Sequence, residues 1–268
     1  MFRPAVVALA VTCALLAGCT GSADGDDKDD KDGEDKVSLE PPEKGACRVL
    51  EPSDVSKSSD DSPTVPCDQP HTAETYVVAE LGAELAEAEY DDPQLASEAY
   101  RRCSRDFSRF TGADESLALR TVLSWAWFRP TEEAWEAGAR WFRCDVVGGS
   151  DTSATLVNLP RTAKGVLLGI PPDRWMACVA GDKVAGAAQL PCTEPHQWRA
   201  ATTIVVGDEK DEFPGDRLVE VLSRDYCSES VGAWMNYPLD YEFAYTYFGE
   251  TEWEAGNRRS ICWARTDQ

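Results

Sequence analysis

Two series of short apolar runs, alike in order and spacing, occupy most of the chain. The first opens with a strand-like run at 46–50 and the second with one at 176–180. β-rich runs follow at 75–79 and 201–206, then helical stretches at 93–110 and 216–234. In the first helix Leu95, Ala99, Cys103, Phe107 and Phe110 return at the helical period. In the second, Leu218, Leu222, Tyr226 and Ser230 form the comparable stripe. Aromatic-rich strands are expected at 121–128 and 242–248, and closing strands at 140–147 and 259–264. Thr131-Glu132-Glu133 suits a helix start, so Trp135-Glu136-Ala137-Gly138 reads as a short turn ended by glycine. The expected fold class is α+β, with two tandem disulfide-stapled β-β-α-β-β modules at 45–150 and 174–268. Between them, Thr155-Leu156-Val157 and Val166-Leu167-Leu168 make the linker 151–173 a candidate extra strand.

Cysteine positions sharpen the repeat. Setting aside Cys13 and Cys19, the remaining eight fall into two sets of four, with second gaps of 36 and 35 residues. Pro66-Cys67-Asp68-Gln69-Pro70-His71 matches Pro191-Cys192-Thr193-Glu194-Pro195-His196, and Trp135-Glu136-Ala137-Gly138 matches Trp253-Glu254-Ala255-Gly256. In both copies the fourth cysteine lies six residues beyond that glycine. An even cysteine count in an exported chain reads as a disulfide framework, with three connectivities open in each copy. First-to-second and third-to-fourth pairing is favoured, giving Cys47–Cys67, Cys103–Cys144, Cys178–Cys192 and Cys227–Cys262. The first kind staples neighbouring strands; the second fixes the helix to the sheet. Zinc ligation by these thiols would need a reducing compartment.

Export is itself an expectation from the first residues. Arg3 precedes an apolar run over 5–16, too short to span a bilayer, and Leu16-Ala17-Gly18-Cys19 then fits a lipobox. Residues 1–18 are thus a lipoprotein signal peptide, and Cys19 is the expected lipidation site, carrying palmitate-like acyl chains that hold the protein to the membrane. From 19 to 44 runs a tether, in which 21–44 has ten Asp or Glu and four Lys. It holds too few apolar residues to offset its ordering entropy, and its charges repel one another. The expected location is the extracytoplasmic face of the cell membrane. A net charge of −22 argues against nucleic acid and anionic lipid as main partners.

The repeated motifs resemble the septum-formation-related domain family of actinobacterial exported proteins and lipoproteins. The likeness rests on Pro-Cys-x-x-Pro-His, the cysteine-bearing helix, and Pro130 to Gly138 ahead of the last cysteine strand. Copy two departs where Gly249-Glu250-Thr251-Glu252 replaces the proline-led turn, and where Arg199 replaces Glu74. The resemblance implies a cell-envelope role near the division machinery and supplies no catalytic residues.

Candidate chemistry is sparse. His71 and His196, the only histidines, are binding candidates, and Glu74 could assist His71 as a base. No such carboxylate recurs in copy two, so hydrogen bonds from both ring nitrogens, holding a loop beside a disulfide, are the expected role. No metal site from the two histidines is expected, because no carboxylate or thiol cluster is shared by both copies, and no cofactor motif is present. Leu159-Pro160-Arg161-Thr162-Ala163 resembles a sortase signal but lies mid-chain. Among nine tryptophans, Trp135 and Trp253 recur at one place and are expected in the core. Trp127 and Trp141 are the candidates for an exposed binding patch. The function these features favour is that of a non-catalytic binding or scaffolding lipoprotein of the envelope. Its expected partner is another envelope protein or a cell-wall polymer. The alternative is an envelope hydrolase acting on cell-wall glycan through paired carboxylates.

Overall fold

A computed structural model describes residues 38–254 and 256–266. The expected signal peptide, Cys19 and most of the expected tether lie outside the described residues. Each copy builds one five-stranded antiparallel sheet with a long helix. In copy one the strands are β1 (Cys47–Arg48), β2 (Thr64–Val65), β3 (Ala73–Glu80), β4 (Ser124–Phe128) and β5 (Trp141–Val147), in the order β2-β1-β3-β5-β4. Its helices are α1 (Pro52–Val55), α2 (Pro93–Thr111), α3 (Glu115–Ala118) and α4 (Glu132–Glu136). Copy two repeats the pattern as β7-β6-β8-β10-β9. Here β6 is Ala177–Val179, β7 Gln189–Pro191, β8 Trp198–Val205, β9 Phe243–Thr246 and β10 Arg259–Arg265, with α5 (Asp216–Trp234) and α6 (Glu250–Glu254). The edge strands β2 and β7 add to the four strands read from sequence. Two or three residues carry no alternation to detect, and pairing to β1 and β6 defines them.

Helix α2 is capped at both ends. Pro93 opens α2 behind Asp92, whose carboxylate accepts from the Gln94 amide, and Gly112 ends it at φ 81°. Leu95, Ala99, Cys103 and Phe107 are buried as expected, but Thr111 rather than Phe110 completes the stripe. In α5 the expected stripe is wrong by one residue. Val219, Ser223, Cys227 and Val231 face the core, whereas Leu218 and Tyr226 are 46% and 47% exposed. The bridge at Cys227 fixes the buried face, and Ser223 is tolerated there because its hydroxyl meets that of Ser260 at 2.7 Å. The duplication also keeps an irregularity: Tyr76 in β3 and Ala201 in β8, equivalent by the histidine motifs, are skipped in the pairing with β5 and β10.

The linker docks, but not as a strand. Val157 donates to the Gly148 carbonyl and Leu159 to that of His71, and Gly165 and Leu167 donate to Phe110 and Thr111. A side chain at Gly148 would collide with the Val157 carbonyl, so glycine permits this approach. Leu159, Ala163 and Leu167 are buried in one cluster that also holds Phe107, Val122, Trp175, Val179 and Trp263. These contacts come from separated turns, which no continuous ladder could satisfy. Copy one also reaches copy two by backbone: Val122 donates to Trp175, and Ala177 to Arg120.

The sheets differ in what they bury beside the disulfide strand. In copy one Arg143 and Asp145 flank Cys144, and Nε of Arg143 meets Asp145 at 3.0 Å. Arg143 also pairs with Asp60, while Arg48 donates to Thr75, which donates to Asp145 at 2.7 Å. All of these side chains are buried. Burial, then the neighbouring Arg143, lowers the pKa of Arg48. The equivalent places in copy two, fixed by the cysteine and histidine motifs, hold Val179, Ala200 and Trp263 within the shared apolar cluster and Ile261 packed against it.

Four disulfides join Cys47–Cys67, Cys103–Cys144, Cys178–Cys192 and Cys227–Cys262. Both bridges from helix to sheet have completely buried cysteines, Cys192 is 5% exposed, and Cys67 is partly exposed. Reduction needs a reductant to reach sulfur. With the folded protein under mild thiol, alkylation and mass spectrometry should find Cys47–Cys67 opened first and Cys178–Cys192 next. Cys103–Cys144 and Cys227–Cys262 should open only on unfolding. Simultaneous opening of all four would contradict this order.

Candidate functional site

Both histidines sit in the same turn. Gln69 donates to the Pro66 carbonyl and Glu194 to that of Pro191, each at 2.9 Å. The chain then folds back so that Nδ1 of His71 lies 2.8 Å from the Gln69 carbonyl, and Nδ1 of His196 lies 2.7 Å from that of Glu194. Facing an acceptor, Nδ1 carries the hydrogen. Nε2 is buried without a protein partner in both rings, so bonding from both nitrogens is not found. Glu74 does not serve as a base for His71. Its carboxylate takes the Thr162 hydroxyl at 2.8 Å and the Ala163 amide at 2.6 Å, fastening the linker segment that resembled a sortase signal.

The tryptophan motif is a second repeated device. Trp135 and Trp253 are buried, and Arg140 and Arg258 lie over their rings at 4.2 and 3.7 Å. Nη1 of each arginine also donates at 2.6 Å to the carbonyl of its own tryptophan, satisfying the end of the short helix. Gly138 and Gly256, at φ 103° and 104°, make the turn that brings the arginine back. The structural motif therefore extends to an arginine that the shorter sequence match omits.

The pattern that defines septum formation proteins matches residues 32–129 and again 120–262. The chain belongs to the septum formation family. No curated protein and no solved structure matches it. In this member of the family the repeated motifs build turns and helix ends and leave no open groove of their own.

An open groove lies between the copies instead. A groove of about 820 Å³ runs from the face of α2 to the ends of β8 and β10. Trp125 on β4 meets Tyr100 on α2 edge to face, with centroids 5.4 Å apart, and both rings are half-buried and line the groove. Burial, with Glu115 and Glu252 nearby, raises the pKa of Tyr100, so its hydroxyl stays a donor. Phe107, Val122 and Leu123 line the apolar part; Ser104, Ser108, Gln189 and Asn257 provide uncharged polar groups, and Asp114, Glu115, Asp208 and Glu209 set carboxylates at its walls. The four arginines of the groove are already engaged. Arg105 and Arg109 hold Asp106, Arg259 holds Glu115 at 3.1 Å, and Arg258 is folded onto Trp253. Aromatic faces beside neutral hydrogen-bonding groups suit a ligand with apolar faces and hydroxyl edges.

The tryptophans expected to form a patch lie elsewhere. Trp127 is half-buried and packs against the apolar cluster, with Arg129 over its ring at 5.7 Å. Trp141 is half-buried too, with its indole nitrogen enclosed and without a partner. Neither lines the groove. Trp125 does: it shares a face of β4 with Trp127, but it meets Tyr100 of α2, whereas Trp127 lies farther along the strand beside Arg129.

Proposed function

We propose that the protein is a lipid-anchored, extracytoplasmic binding module of the cell envelope, acting in septum formation, whose inter-copy groove holds a glycan strand of the cell wall. Membership of the septum formation family supports the envelope role. The lipobox at Cys19 supports the anchor, and no helix among the described residues is long and apolar enough to cross a membrane. The observation that carries the ligand class is the Tyr100–Trp125 pair in a groove whose arginines are all occupied. An anionic polymer would need free cations; stacked sugars need ring faces. A tether would raise the local concentration of the module at the wall without new contacts.

Co-sedimentation with purified cell-wall glycan tests this. Trp125→Ala should weaken retention about ten-fold, the scale of one stacked aromatic, and Trp141→Ala should leave it unchanged. Equal retention of the Trp125 variant would remove the groove from consideration. Release of soluble fragments by the wild-type chain would favour the hydrolase reading instead. For the anchor, Cys19→Ala should shift the protein from the membrane to the soluble fraction.

A further inference from the structure

We infer that Cys178, Cys192 and His196 form a redox-gated site for a thiophilic divalent cation of the Zn²⁺ class. The donor atoms of the three residues lie within 4.8 Å of one another, and all three side chains are buried. Nδ1 of His196 gives its hydrogen to the Glu194 carbonyl at 2.7 Å, leaving Nε2 as the lone-pair nitrogen, buried and without a protein partner. A histidine oriented by a backbone carbonyl through one nitrogen, with the other free, has the arrangement of a metal ligand. While the bridge is closed there is no thiolate, and the site cannot bind metal.

Opening requires a dithiol reductant. Its thiolate attacks Sγ of Cys192, the 5% exposed end of the bridge, giving a mixed disulfide and freeing Cys178. The reductant's second thiol then resolves that intermediate. Two electrons and two protons pass to the cysteine pair, and the reductant leaves as its own disulfide. Capture of Zn²⁺ by two thiolates and one imidazole releases both thiol protons and leaves a fourth position for water. The reduced copy keeps its shape because β6 remains paired with β7 and β8, and Cys227–Cys262 is buried. Copy one has the same motif, but among the described residues only the copy-two trio is gathered closely enough.

The test uses the full-length chain carrying Cys47→Ser and Cys67→Ser, which removes the bridge that opens first, reduced with a phosphine until alkylation mapping shows Cys178 and Cys192 free and both helix bridges intact. Titrated with Co²⁺, it should take up one ion per chain with a thiolate-to-cobalt charge-transfer band, displaced by Zn²⁺. The oxidised chain should bind none. His196→Gln should weaken binding at least about ten-fold, and His71→Gln should not change it. Should His196→Gln fail to fold, the ¹⁵N resonance of Nε2 of His196 in the reduced wild type decides, since Zn²⁺ must shift it. The proposal is overturned by a reduced chain that binds no cobalt or by affinity indifferent to His196. An unshifted Nε2, or a bridge that cannot be opened without loss of the near-ultraviolet circular dichroism, overturns it equally.

Discussion

Asp145→Ala is expected to destabilise the protein by about 3–5 kcal/mol, because it leaves two buried guanidinium groups to share one carboxylate rather than deleting one contact. Asp145 is fully buried and accepts from Arg143 at 3.0 Å and from Thr75 at 2.7 Å, and Thr75 in turn accepts from Arg48. With the carboxylate gone, Asp60 alone faces both arginines. The pKa of Arg48 is already lowered by burial and by Arg143, and loss of Asp145 removes one of the charges that oppose this. Urea denaturation measures the cost. Arg143→Met combined with Asp145→Leu should lose less than the sum of the single changes, by about 0.5–3 kcal/mol, since the pair is removed together. Additive losses would mean that the two side chains do not act as a unit. The same sheet position in copy two shows that charge is not needed there: Ile261 and Trp263 flank Cys262 where Arg143 and Asp145 flank Cys144. Duplication kept the bridge and changed what surrounds it.

That divergence marks the limit of what could be read from residues alone. Cysteine spacing and the two motifs lie in the covalent and turn-forming parts of the fold, where a few residue types have few alternatives. The repeat, the helix bounds and the α+β class were legible for that reason. The sequence of α5 points one residue out of phase because hydrophobicity ranks Leu218 and Tyr226 above Ser223, and only the Ser260 hydroxyl across the core makes serine an inner residue. The linker carried apolar triplets that look like strands, yet its hydrogen bonds go to Gly148, His71, Phe110 and Thr111, partners far apart in sequence. The groove was illegible for the same reason. Tyr100 and Trp125 belong to different elements of copy one, and Gln189 and Asn257 to copy two. Only the docking of one copy on the other brings them together.

Trp263→Ala should lower stability by about 3–5 kcal/mol and do so for both copies at once. The side chain is 1% exposed and lies in copy two, but its cluster holds Val122 and Phe107 of copy one and Leu159, Ala163 and Leu167 of the linker. Its indole nitrogen also donates to Thr246 at 3.2 Å. Arg120, from copy one, reaches the Ala201 carbonyl at 3.0 Å, and burial lowers its pKa, as expected of a guanidinium withdrawn from water into a junction. Separate cores would unfold in two transitions, one for each sheet; a shared core unfolds in one. Hydrogen exchange at the amides of β5 and of β10 therefore supplies the measurement. In the Trp263→Ala protein, protection should fall by the same free energy in both strands. A loss confined to β10 would show that the copies are stable independently, and the groove between them would then owe its shape to docking weaker than the folding of either sheet.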